Sequence, residues 1–191
     1  MADGEEAMIG FFRLHEAIEN FTGHTIYCDL DGVLVDLERG VRDYLGMQAS
    51  PGRLGILRGL VTMKRNNVDL VEFFENLPWT PDGKRLWTYL LPYEPIILTG
   101  GGDDGGGSDI MAGKNAWVAK NLGLPRNKII HESQKSKYAK PRSILIDDYD
   151  KNARGFTEAG GIGIQHTSAA DTISRLKDLV VGSDEPDVAV R

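Results

Sequence analysis

Three apolar runs rich in β-branched residues punctuate the chain: "HTIYCDL" (24–30), "EPIILTG" (94–100) and "RSILIDD" (142–148). Near-continuous apolar runs of this length suit strands buried on both faces of a parallel sheet. "NKIIHE" (127–132) and "GGIGIQH" (160–166) are weaker candidates of the same kind. Helical periodicity fills the intervals. It is found in "SDIMAGKNAWVAKNLGL" (108–124), with Ser108 or Asp109 as N-cap, in "DYDKNARGFTEAG" (148–160), and in "SAADTISRLKDLV" (168–180), capped by Ser168. Strands alternating with helices predict an α/β fold, a Rossmann-like parallel sheet with helices on both faces. Residues 37–91 break the alternation. Pieces such as "LERGVRDYLGM" and "NVDLVEFFENL" are helical, no strand is evident, and a helix over 82–91 returns the chain to the core. We read 37–91 as a small helical cap inserted after the first core strand, with 1–36 and 92–191 forming the core. "AMIGFFRLHEAIENF" (7–21) reads as an amphipathic helix and "GSDEPDVAVR" (182–191) as a frayed tail.

The chain has 191 residues, 41% hydrophobic and 26% charged, which suits one domain with an insertion. Its net charge of -6 argues against broad nucleic-acid binding, which needs Lys and Arg along the phosphate backbone. It leaves room for a small anionic ligand held by a locally basic site. The one cysteine, Cys28, falls inside the first strand and reads as a small core residue. The acidic N-terminus lacks a signal pattern, and no apolar run is long enough to span a bilayer. A cytoplasmic protein with no membrane partner is therefore expected.

Chemistry concentrates at the strand ends. "YCDLDGVLVD" carries Asp29, Asp31 and Asp36, and "ILIDD" ends on Asp147 and Asp148. In an open parallel sheet the C-terminal strand ends line one crevice, so these carboxylates can meet. Clustered carboxylates repel unless a cation or a shared proton offsets the charge. An all-oxygen ligand set favours Mg²⁺. The loop "GGGDDGGG" (100–107) follows Thr99 at the end of the second run. It lacks the GK[ST] ending of a P-loop, and Asp103 and Asp104 would repel phosphate. Gly100 alone is assigned to phosphate contact; the rest is expected to form a mobile rim.

"DLDGVLVD" resembles motif I of the haloacid dehalogenase-like superfamily of phosphohydrolases. "ILTG" resembles its motif II and "LIDD" its motif IV, and a lysine upstream of motif IV would be motif III. The order covers residues 24–166, and the proposed insertion falls where this superfamily places a helical cap. "FFENLPWTPDGKRLWTYL" looks similar, more loosely, to 5'-nucleotidases acting on deoxynucleoside monophosphates.

The resemblance implies a phosphomonoesterase that forms an aspartyl-phosphate on Asp29. Asp31 would be general acid and then base. Mg²⁺ would be held by Asp29, the Asp31 carbonyl and Asp147, with Asp148 as a supporting or additional ligand. Gly32 would let the backbone turn close to phosphate, and Thr99 with Gly100 would bind phosphoryl oxygens. "HESQKSKYAKPRSILIDD" offers Lys135, Lys137, Lys140 and Arg142 for the motif III cation. The spacing of the nucleotidase branch favours Lys137, and Lys140 before Pro141 resembles a Lys-Pro common in the superfamily. Phe73, Phe74 and Trp79 could wall a nucleobase. Arg58, Lys64 and Arg65 could touch substrate or solvate a helix, and His131 and His166 read as structural. The expected partner is a small phosphorylated substrate such as a nucleotide. Other phosphate esters, nucleic-acid ends, transfer to an acceptor other than water, and ligand binding without catalysis remain open alternatives.

Overall fold

A computed structural model of the protein describes residues 23–46, 50–101 and 107–181. The expected N-terminal helix, the C-terminal tail and the glycine-rich rim at 102–106 lie outside the described residues. The apolar runs form five strands: β1 (Thr25–Cys28), β2 (Ile96–Thr99), β3 (Ile129–His131), β4 (Ser143–Asp147) and β5 (Ile162–Gln165). All pair in parallel, in the order β3-β2-β1-β4-β5. The fold is α/β and Rossmann-like.

The strands are apolar on both faces because helices cover both. Even-numbered residues Ile26, Cys28, Ile144, Ile146 and Ile164 join the main core with Trp117, Val118 and Leu176. Odd-numbered Leu145 turns to the opposite face, where it packs with Leu98 and Phe156, and Tyr27 borders this smaller cluster. The helices are α1 (Leu37–Leu45), α2 (Gly52–Arg65), α3 (Leu70–Glu75), α4 (Gly83–Leu90), α5 (Gly107–Leu122), α6 (Asp150–Glu158) and α7 (Ala169–Val181). Gly107 opens α5, so Ser108 and Asp109 sit in its first turn rather than capping it. Ser168 does cap α7, its hydroxyl accepting from the Asp171 N–H at 3.2 Å.

Four of these helices, α1 to α4, lie between β1 and β2, with an isolated bridge joining Val35 to Trp79. The chain leaves β1 through a tight loop in which the Leu30 carbonyl accepts from the Leu34 and Val35 N–H groups. Asp36 then caps α1 by accepting from the Arg39 N–H at 2.9 Å, which assigns the third carboxylate of "YCDLDGVLVD" to helix capping. Several contacts tie the excursion back to the core. Arg53 lies over the Tyr149 ring at 4.6 Å. Gly113 of α5 lies so close to α3 that a Cβ there would be 2.5 Å from Phe74 Cβ and 2.7 Å from the Val71 carbonyl. No helix among the described residues is long and apolar enough to cross a membrane.

Candidate active site

Register brings the strand ends together. Cys28 pairs with Ile97 on β2 and with Ile146 on β4, so the residues that follow these strands leave one edge of the sheet side by side. The Asp29 N–H continues the ladder by donating to the Ile146 carbonyl at 2.9 Å. The result is a cluster of Asp29, Asp147 and Asp148 whose nearest carboxylate oxygens lie within 4.8 Å of one another. Asp29 and Asp147 are buried. Gly32 makes room for the third member: its φ is +78°, and a Cβ there would fall 2.3 Å from Asp148 Oδ2.

Asp147 is held on every side. It accepts from the Tyr149 N–H at 2.9 Å and from the Asn152 amide at 3.2 and 3.1 Å. Lys135 Nζ lies 2.5 Å from Asp147 Oδ2 and 2.8 Å from Asp29 Oδ1. Burial alone would strip the proton from Lys135, but the two carboxylates outweigh it and raise its pKa, so it stays an ammonium. Burial pushes the Asp147 carboxyl above the usual carboxylate range, with the Asp29 charge adding to the effect and Lys135 opposing it. Asp148 is exposed as a residue, yet its carboxyl is pushed up to about 7, by desolvation first and then by Asp29 and Asp147.

A second lysine closes the other side. Lys114 of α5 is buried, and its Nζ lies 2.6 Å from Asp31 Oδ2, 3.0 Å from Thr99 Oγ1 and 2.8 Å from the Gly100 carbonyl. Asp31 therefore turns away from the three-carboxylate cluster, as the i, i+2 spacing with an intervening turn allows. Thr99 is fully buried at the end of β2, with its hydroxyl on Lys114.

Several expectations need correction. Lys137 is exposed and pairs with Glu132 at 2.7 Å, and Lys140 is exposed while its backbone closes a turn with Ser143. The lysine among the carboxylates is Lys135, the first residue of a 3₁₀ turn over Lys135–Tyr138 that points it inward and Lys137 outward. The aromatic wall over the site does not form. Phe74 is core, edge-on to Phe73 and packed on Gly113. Phe73 lines an outer groove with Gly40, Asp43 and Asp69, which none of the clustered carboxylates or lysines borders. Trp79 packs on Trp117 with the rings tilted and their centroids 4.8 Å apart, and donates to Asn121. The carboxylate of Asp31 is engaged by Lys114, which leaves the backbone carbonyl as the Asp31 atom expected to face a metal. Arg58, Lys64 and Arg65 are exposed on α2. His166 is hydrogen-bonded to Thr172 at 2.8 Å and His131 to Asn115 at 2.8 Å.

Sequence reasoning missed Lys114 and Asn152. The signal for Lys114 was its place on the apolar stripe of α5, with Ile110 and Trp117 four residues before and three after. A lysine there is either misplaced or paired. Asn152 carries no such signal, because its site is created by the turn after β4.

The residues present fit a hard divalent cation. Asp29, Asp31, Asp147 and Asp148 face two ammonium groups, Lys114 and Lys135, an excess of negative charge that one such ion matches. Three converging carboxylates without sulfur or imidazole suit Mg²⁺.

No family model matches the sequence, and no curated protein matches it either. Solved structures with some likeness include an L-2-haloacid dehalogenase from Xanthobacter autotrophicus. It is 17% identical, with 72% of this chain and 74% of that one covered and a TM-score of 0.44. A HAD-superfamily hydrolase from Ehrlichia chaffeensis is 13% identical over 82% of this chain and 97% of that one, with a TM-score of 0.45. A hydrolase from Streptococcus pneumoniae TIGR4 is 12% identical over 81% and 98%, with a TM-score of 0.47.

Proposed function

We propose that the chain is a phosphomonoesterase of the haloacid dehalogenase-like type, dependent on Mg²⁺, that works through an aspartyl-phosphate on Asp29. One observation carries the reading: three oxygen donors and two buried lysines converge with Asp31 and Thr99 at the C-terminal edge of one parallel sheet. An arrangement that concentrates both carboxylates and ammonium groups suits a dianionic group attacked by an anionic nucleophile. Mg²⁺, held by Asp29, Asp147 and Asp148, would supply the charge neutralisation that lets the two approach.

The chain's own residues divide the remaining work. Asp29 Oδ attacks phosphorus and the ester oxygen leaves. Asp31 gives that oxygen a proton, then takes one from the water that cleaves the acyl-phosphate. Lys135, kept charged by Asp29 and Asp147, neutralises the transferred group and aligns the nucleophile. Thr99 donates its hydroxyl hydrogen to a phosphoryl oxygen, with the Gly100 backbone beside it. Tyr149 N–H and Asn152 fix Asp147.

Small phosphate esters are the substrate class, and nucleoside monophosphates head it on the resemblance of 73–90 to 5'-nucleotidases. The test is a panel of nucleoside monophosphates, sugar phosphates and p-nitrophenyl phosphate, with Mg²⁺ and with a chelator. The wild type should turn over at least one ester only with Mg²⁺. Asp29→Asn should lose about a thousandfold or more in kcat. A fully active Asp29→Asn protein overturns the mechanism.

A further inference from the structure

We infer that Lys114 is a positioning residue that aims Asp31 at the leaving group; the inference rests on the phosphomonoesterase reading above. An ammonium has three N–H donors. All three of Lys114 are taken, by Asp31 Oδ2 at 2.6 Å, the Gly100 carbonyl at 2.8 Å and Thr99 Oγ1 at 3.0 Å. No N–H is left to bind substrate, so Lys114 acts through the groups it holds. It joins β2 to the loop after β1, two segments whose relative placement decides where acid and phosphate sit.

Two atom-level consequences follow. Thr99 Oγ1 accepts from Lys114, so its own hydrogen is the one free to point into the crevice. Asp31 is anchored through Oδ2, while its Oδ1 is buried and has no hydrogen-bond partner among the described residues. A buried, unpartnered carboxylate oxygen is costly unless something fills the place opposite it. Oδ1 is thereby set aside for the proton. The proton passes from Asp31 Oδ1 to the ester oxygen as the P–O bond breaks. It returns to Oδ1 from the water whose hydroxyl adds to phosphorus and releases Asp29. Lys114 keeps its own protons throughout. Its contact with Oδ2 at 2.6 Å holds Asp31 in one rotamer. The packing that places Lys114 is specific: Gly113 lets α5 press against α3, and the Phe74 ring lies 5.9 Å from Nζ.

The prediction separates aim from architecture by leaving group. p-Nitrophenolate leaves with little need of a proton, whereas an alkoxide needs one. Lys114→Met should lower kcat on an alkyl phosphate at least tenfold more than kcat on p-nitrophenyl phosphate, with KM on the two changed alike. Lys114→Gln keeps a neutral donor in the same space and should show the same preference at smaller amplitude. It also serves where Lys114→Met fails to fold. Equal losses on both esters in a folded variant, or no loss on the alkyl ester, overturn the inference alone. A wild type that hydrolyses neither ester with Mg²⁺ overturns the functional reading, and the inference with it.

Discussion

At the scale of single residues, the site shows how far spacing goes and where it stops. The pairs Asp29–Asp31 and Asp147–Asp148 were legible because each follows an apolar run, and parallel strands deliver their C-terminal residues to one edge. The lysine was not legible. Lys135, Lys137 and Lys140 occupy one loop, and the choice among them depends on a single 3₁₀ turn that buries Lys135 and exposes Lys137. Gly32 tests the same geometry from the backbone side. Its φ of +78° disfavours any side chain, and an added Cβ would displace the Asp148 carboxylate. Gly32→Ala should therefore weaken Mg²⁺ activation by about 10–100-fold, the range typical when a group supporting a metal ligand is disturbed. A rate titration against Mg²⁺ reads it directly. An unchanged half-activating concentration would place Asp148 outside the ion's reach.

At the scale of elements, the strands and the core helices follow the apolar periods closely, whereas the excursion between β1 and β2 does not. In α2 the residues facing inward are Gly55, Gly59 and Met63, while Leu54, Leu57 and Val61 face solvent. A reading based on apolar period sees no clean stripe there, which is why only fragments of this region were recognisable in advance. The aromatic residues of 73–79 misled for a related reason. Their chemistry would suit a flat ligand, but large rings are first claimed by packing, and Trp79 finds Trp117 while Phe74 finds Gly113. The α3–α5 crossing is consequently the joint that sets Lys114 against Asp31. Gly113→Ala must push α3 away from α5, because the blocking atoms include the Val71 carbonyl. The expected cost is about 1–3 kcal/mol of stability. Thermal denaturation would measure this, and the same preparation should lose activity. A variant as stable as wild type would mean that the two helices separate freely.

At the scale of the whole molecule, the charge excess of the site makes folding, pH and metal one linked equilibrium. The Asp148 carboxyl is raised to about 7, and that of Asp147 is raised as well. A carboxyl whose pKa is higher folded than unfolded holds its proton more tightly in the native state. Its contribution to stability is therefore greatest below the unfolded value of about 4. It is lost as pH rises toward the folded value. Lys135 is also raised, but its stabilising effect is lost only above the ordinary lysine range, outside this window. Without metal, the acidic cluster should accordingly pull the melting temperature down between pH 5 and pH 8 as it ionises against itself, while His24, His131 and His166, held below the ordinary imidazole range mainly by burial, pull the other way. Mg²⁺ binds the ionised cluster, so its stabilisation should run the other way, small at pH 5 and larger at pH 8. At a concentration one hundred times its dissociation constant, an ion that binds only the native state adds about 2.7 kcal/mol. For a chain of this size that amounts to roughly 5–10 °C. Melting curves in Mg²⁺ and in chelator at the two pH values provide the comparison. A Mg²⁺ shift equal at both, or absent at pH 8, would show that Asp29, Asp147 and Asp148 relieve their repulsion by sharing protons rather than by binding a cation.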